Sequence, residues 1–194
     1  MIKFTPMNNI NFTSRYVTDV PISKRINDEE YEPYTAKLVE FDIYDEKDQE
    51  KIDKICKKNE FSSFGFDLYN GLYSHDYGIN KKYCFALVKN TEKDLTDIDK
   101  DNVLGIYSLY EFNDKKAPLT LPYFMTNDDY HNQYYNSNPK YKGVGKGMFK
   151  SITEMFPTKS IYGFTAWTAM GFWEKMGLRH LSERRMIYDA GVKE

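Results

Sequence analysis

Glycine recurs at alternate positions in Tyr141-Lys142-Gly143-Val144-Gly145-Lys146-Gly147-Met148-Phe149-Lys150, interleaved with lysines. Glycines so spaced make a tight loop whose amide N–H groups point outward, and an apolar pattern of helical spacing follows at once. A helix N-terminus carries a partial positive charge and unpaired N–H donors, so this stretch is a seat for phosphate. Two nucleotide-binding patterns fail here. The Walker pattern needs Gly, four residues, then Gly-Lys-Ser/Thr, whereas Gly145-Lys146 is followed by Gly147. The dinucleotide fingerprint G-x-G-x-x-G needs an opening strand and a second βαβ half, and the glycines stand at 143, 145 and 147, late in the chain.

Charge agrees with an anionic ligand. The formal net charge is −2, yet residues 140–194 hold 10 Lys+Arg against 5 Asp+Glu. The 194 residues are 41% hydrophobic and 29% charged, the composition of a folded domain. No apolar run reaches the ~18 residues of a membrane span, and Met1-Ile2-Lys3-Phe4-Thr5-Pro6 is no signal peptide. Cys56 and Cys84 make neither a disulfide framework nor a metal-ligand spacing; they read as buried small side chains, and a cytoplasmic setting is expected.

The elements that must position the loop follow from periodicity. Residues 1–33 are polar and broken by Pro21 and Pro33, so they read as an N-terminal extension with at most a short edge strand, Tyr16–Val20. Tyr34–Tyr44 is the first strand. Asp45 caps a helix to Lys58 with a stripe of Ile52, Ile55 and Cys56, and Phe61–Leu72 is a second helix. Strands are predicted at Tyr83–Val88, Val103–Phe112 and Leu119–Thr126, the last with a bulge or edge at Pro122. A helix runs from Gly145 to Phe156, stopped by Pro157. Then come a strand from Ser160 to Trp167, a short helix capped by Thr168 and ended at Gly177, and a final strand or hairpin, Leu178–Asp189. The order β-α-α-β-β-β-α-β-α-β predicts an α/β fold with a single mixed, mainly antiparallel sheet flanked by helices.

Lys142 to Gly147 resembles the acetyl-CoA loop of the GCN5-related N-acetyltransferase (GNAT) family, Arg/Gln-x-x-Gly-x-Gly/Ala, with Lys142 where Arg or Gln is usual. Gly171-Phe172-Trp173-Glu174-Lys175-Met176-Gly177-Leu178 looks like the same family's closing signature. The resemblance implies that residues 34–194 form an acetyltransferase-like domain. It also implies transfer of an acetyl group from acetyl-CoA to a primary amine by direct attack, on a small-molecule or peptide acceptor. Lys142, Gly143, Val144, Gly145, Lys146 and Gly147 would hold the CoA pyrophosphate, and a backbone N–H at Met125 or Thr126 would polarise the thioester carbonyl.

Two positions depart from the pattern. Trp173 stands where the family often has an acidic Tyr, and Ala166 where it often has an Asn; Thr168 is a substitute for the latter, and Trp173 packs or shapes the pocket. The implied acid then falls to Tyr107, Tyr110, Tyr123 or Tyr135, with Tyr123 selected, and the base to Glu111 or His131. Tyr130–Tyr135 lies in a long loop suited to a lid. A CoA- or partner-binding module without catalysis is the alternative that Trp173 and Ala166 suggest, and the basic segment leaves a nucleic-acid-linked acceptor open.

Overall fold

The computed structural model describes residues 14–57, 68, 70–74, 78–90, 98, 101–127 and 139–191. One nine-stranded sheet organises them. In chain order the elements are β1 (Ser14–Arg25), β2 (Tyr31–Phe41), α1 (Glu46–Lys57), β3 (Ile79–Val88), β4 (Val103–Phe112), β5 (Leu119–Thr126) and β6 (Tyr141–Lys142). Then follow α2 (Val144–Met155), β7 (Ile161–Phe164), a 3-10 turn (Trp167–Ala169), α3 (Met170–Lys175), β8 (Arg179–Ser182) and β9 (Arg185–Tyr188). The strands lie in the order β6-β1-β2-β3-β4-β5-β7-β9-β8, and every pairing is antiparallel except β5 with β7.

Alternation along the strands divides the core in two. Leu38, Phe85, Tyr107 and Leu121 pack with Met148, Phe149 and Ile152 of α2 and with Trp173 of α3. Val39, Phe41, Cys84 and Ile106 pack on the other face with Ile52 and Ile55 of α1 and with Leu68 and Leu72. The stripe expected on α1 is thus the buried one. Asp45 caps that helix as expected, its Oδ1 accepting from the amides of Lys47 (3.0 Å) and Asp48 (3.1 Å).

Residues 14–25 depart most from the sequence reading. They are no edge fragment of an extension but a twelve-residue strand paired with β2 from end to end, and Val20 and Ile22 enter the α2-side core. Its polar composition hides it, and so does Pro21. Arg25 N–H reaches Lys140 O at 2.8 Å, so by alternation Ser23 and Pro21 also direct their nitrogens away from β2, where β6 pairs only with Ser23 and Lys24. The missing proline donor therefore removes no ladder bond. Fully buried Asp48 anchors the start of the strand: it accepts from Ser14 Oγ (2.9 Å), Lys51 Nζ (3.1 Å) and the Asp42 amide (2.8 Å).

Smaller differences have equally local causes. The first predicted strand, Tyr34–Tyr44, runs instead from Tyr31 to Phe41. β3 begins at Ile79, its first half disguised by Lys81 and Lys82. The predicted strand Ser160–Trp167 keeps only Ile161–Phe164, and Leu178–Asp189 is a hairpin of two short strands. Of the second predicted helix, Leu68 and residues 70–73 are described and helical; the remainder of Phe61–Leu72 lies outside the described residues.

Candidate functional site

Each glycine of the loop has its own task. Gly143 adopts φ 84° at the N-cap of α2, a left-handed conformation that costs other residues strain, and a Cβ there would point into open space. At Gly145 a Cβ would lie 3.2 Å from the Phe172 ring and 3.7 Å from that of Phe124. A Cβ on Gly147 would sit 2.6 Å from Val20 Cγ1, so this glycine lets α2 lie directly on β1. Gly147 N–H makes the first turn's bond to Gly143 O at 2.8 Å, while no side chain caps the helix and its first turn holds no carboxylate. The amides of Val144, Gly145 and Lys146 are the orphan donors of this terminus. Lys146 is exposed beside them. Lys142 is exposed, its ammonium 3.7 Å from the centre of the Tyr31 ring.

Beside this terminus the sheet opens. β5 and β7 pair at Leu119–Ile161, Thr120–Tyr162 and Leu121–Gly163, and no further. The cause is visible on the other edge of β5. Ser108 pairs with Tyr123 but Tyr110 with Thr120, so β5 carries one extra residue around Pro122, the expected bulge. The bulge also inverts the faces: Leu121 belongs to the α2-side core, yet Tyr123, two positions on, packs on the α1 side with Met125. Asn127 N–H bonds Leu104 O at 2.9 Å. Alternation then commits the Met125 amide to β4 as well, and turns the N–H groups of Phe124 and Thr126 towards the gap.

Aromatic side chains wall the α2 side of that gap. Trp173, only 7% exposed, meets Phe124 (4.9 Å between ring centres), Phe149 (5.6 Å) and Phe172 (4.8 Å) edge-on. The indole is a packing group here, as its lack of acidity implies. Thr168 lies exposed in the 3-10 turn and does not cap α3, whose N-cap is Ala169 with no side-chain bond. The residue is too late in the turn: Ala166 already begins it. Ala166 O accepts from the Thr165 hydroxyl at 3.0 Å.

The two residues expected to do acid–base work are not brought together. Glu111 lies towards the far end of β4, where its carboxylate accepts from the Tyr83 hydroxyl at 3.1 Å and pairs with Lys159 at 3.5 Å. Tyr83 packs against the α2-side core, so Glu111 is on that face and Tyr123 on the other. Burial, with the Glu111 carboxylate second, pushes the Tyr83 phenol up to about 12. Tyr107 is fully buried, 3.4 Å from Ser151 Oγ, and burial pushes its phenol well above the ordinary range, which makes it a poor proton donor. His131, Tyr135 and the loop Tyr130–Tyr135 lie outside the described residues.

Sequence reasoning missed the support beneath Tyr123. A Cβ on Gly71 would fall 2.7 Å from both the Tyr110 hydroxyl and the Tyr123 ring, so the end of the 70–73 helix rests directly on two phenols. Lys82, largely buried, holds that end: its ammonium donates to Gly71 O (2.7 Å), Ser74 O (2.7 Å) and Ser74 Oγ (3.0 Å), and lies 5.0 Å over the Tyr110 ring. The carbonyls at a helix C-terminus favour a cation. A lysine after a glycine-bearing helix is the only signal in the sequence, and it is a weak one.

No protein-family profile and no curated protein matches the sequence. Solved structures do match in shape. Tetrahymena GCN5 superposes with a TM-score of 0.51 at 9% identity, over 77% of this chain and 92% of that one. Escherichia coli ElaA gives 0.51 at 11% identity, over 79% and 99%. The Bacillus subtilis N-acetyltransferase YlbP, in complex with coenzyme A, gives 0.45 at 15% identity, over 79% and 96%. With its uncapped glycine-led helix set beside a sheet opened by one bulge, the chain has the fold of the GCN5-related N-acetyltransferases.

Proposed function

We propose that the protein is an acetyl-CoA-dependent N-acyltransferase that moves an acetyl group to a primary amine by direct attack. The observation that carries this reading is the junction of two open donor sets: the uncapped α2 terminus at Gly143, and the β5 amides left without a neighbour where β7 turns away. A pyrophosphate suits the first, and an extended arm carrying amides and a thioester suits the second. The residues present fit such a molecule, because Gly143 leaves open the space its side chain would fill.

In this reading Val144, Gly145 and Lys146 donate their amides to phosphate oxygens, and Lys146 adds charge. The N–H groups of Phe124 and Thr126 hold the carbonyl oxygen as negative charge develops on it. Phe172, Trp173 and Phe124 exclude water on the α2 side. Tyr123 faces the acceptor side at the bulge and is the phenol assigned to protonate the departing thiolate. The amine attacks in its neutral form, its proton passing to solvent or to a base beyond the described residues. Glu111 serves as a strut for Tyr83 and Lys159 in this arrangement.

Isothermal titration with acetyl-CoA and with CoA tests the first half, and absence of binding at high micromolar ligand removes the proposal. Release of free thiol with a panel of primary amines tests the second. The burial of Trp173 favours one other outcome, CoA binding without turnover, which would make the chain a CoA-binding module.

A further inference from the structure

The sheet face that carries Tyr123 changes character on the other side of the gap. Gly163 pairs with Met186, which lies in the α2-side core, so the adjoining pair Phe164–Arg185 points to the opposite face, the face of Tyr123. No helix covers it there among the described residues. Phe164 is 57% exposed and Trp167 is 54% exposed. Each carries a guanidinium: Arg185 lies 5.7 Å from the Phe164 ring centre, and Arg184 lies 5.7 Å from that of Trp167. The Thr165 amide donates to Arg184 O at 3.0 Å, which ties the β8–β9 turn to the strand end that leaves β5.

Of the other charged groups nearby, Arg179 pairs with Asp189 at 2.6 Å and Glu174 bonds His180 at 2.8 Å, while Glu183, exposed in the turn beside Arg184, makes no ion pair with either arginine. Among the described residues no carboxylate lies within ion-pair distance of Arg184 or Arg185. Two guanidiniums thus rest on exposed aromatic rings where β7 leaves β5, that of Arg185 on the face of Tyr123, and such cations attract an anion.

We propose that Arg184 and Arg185, seated on Trp167 and Phe164, bind an acidic group of the acceptor, so that the amine acetylated at this site carries a carboxylate or a phosphate. This deepens the acyltransfer reading and rests on it for the reaction. The anion recognition itself is testable without turnover. The bond formed in the reaction is the same N-acetyl bond, and the acidic group only orients the amine.

The probes are three amines of similar length: propylamine, β-alanine and 2-aminoethyl phosphate. Trp167 and Trp173 are the only tryptophans, and Trp173 is buried, so acrylamide-sensitive emission reports on Trp167. The two acidic amines are expected to shift that emission saturably where propylamine does not. Their kcat/KM should exceed that of propylamine by about tenfold, the worth of a charge-assisted contact. The carboxylate and phosphate arms tell which anion is preferred. The doubly substituted Arg184→Gln/Arg185→Gln protein should lose both effects while keeping its rate with propylamine and its affinity for CoA, and the Lys/Lys variant should keep most of the preference. Equal use of all three amines overturns the assignment, as does loss of CoA affinity in the Gln/Gln protein. If the wild type acetylates none of them, the emission shift decides: a shift lost in the Gln/Gln protein upholds the anion site although acyl transfer fails, and no shift overturns it.

Discussion

Beside the gap, the two faces of the sheet hold a helix against strands by different means. On the α2 side contact is close and apolar: Gly105 and Gly147 leave no room for a methyl against Met148 and Val20, and aromatic rings close the end. On the α1 side the support around Tyr123 is polar, a lysine gripping the carbonyls of a short helix that rests on two phenols. A cofactor common to many enzymes needs a rigid, generic cradle, and apolar close packing supplies rigidity. An acceptor peculiar to one enzyme needs polar discrimination, which comes from buried groups that must all be satisfied.

Substitutions can break this contrast, beginning with the largest effect. Trp173→Ala removes the ring that joins Phe124, Phe149 and Phe172 and should cost about 3–5 kcal/mol in urea unfolding, while Trp173→Phe should cost far less. A small loss for the alanine variant would show that the aromatic wall is not what stiffens the α2 side. On the other face, Lys82→Met takes the ammonium donor away from the carbonyls of Gly71 and Ser74, at about 1–3 kcal/mol. It should raise the acceptor KM while leaving CoA affinity alone, with Lys82→Arg partly restoring it. Weaker CoA binding in Lys82→Met would erase the division between the faces.

The glycines sharpen the comparison within one loop. Gly147→Ala pushes a methyl against Val20 and should cost about 1–3 kcal/mol of stability. Gly143→Ala meets no neighbour and carries only left-handed strain, about 1–2 kcal/mol. Its methyl stands where phosphate is proposed to lie, so CoA affinity should fall more in Gly143→Ala than in Gly147→Ala. Calorimetric titration of both variants measures the order.

The smallest effect belongs to the α1-side core and is seen only in alkali. Burial, then Asp53, pushes the Cys56 thiol from its ordinary value near 9 up to about 12. The folded state therefore keeps a proton that the unfolded state releases near pH 9. The associated stability is whole below that pH and is lost as pH rises towards 12. Urea midpoints at pH 8, 9.5 and 10.5 should fall less in Cys56→Ala than in the wild type. At pH 8 Cys56 and Cys84 should resist a thiol reagent until the protein is unfolded.

Legibility in the sequence depended on how local each signal was, not on the face it served. The glycine loop, α2, β4 and β5 could be read because their signals are local: glycine spacing, helical periodicity, apolar runs and one proline. β1 could not, since its polar strand acquires meaning only from β2 beside it. Lys82 and Gly71 are eleven residues apart and meet only through the fold. That Glu111 and Tyr123 lie on opposite faces was hidden for a related reason. Assigning side chains to faces needs the bulge counted, and a proline signals that a bulge exists without saying which residues it inverts.

That extra residue near Pro122 has a further consequence. β5 is two short strands of opposite parity, joined at one point. Removing that one residue would heal the β4–β5 ladder and leave Tyr123, Phe124 and Met125 on their present faces, whereas adding or removing a residue in the regular stretch beyond it would exchange the faces of those that follow. The same deletion between helices would merely shorten a loop. Beyond this joint it is the count of residues, rather than their chemistry, that decides which chamber each side chain serves.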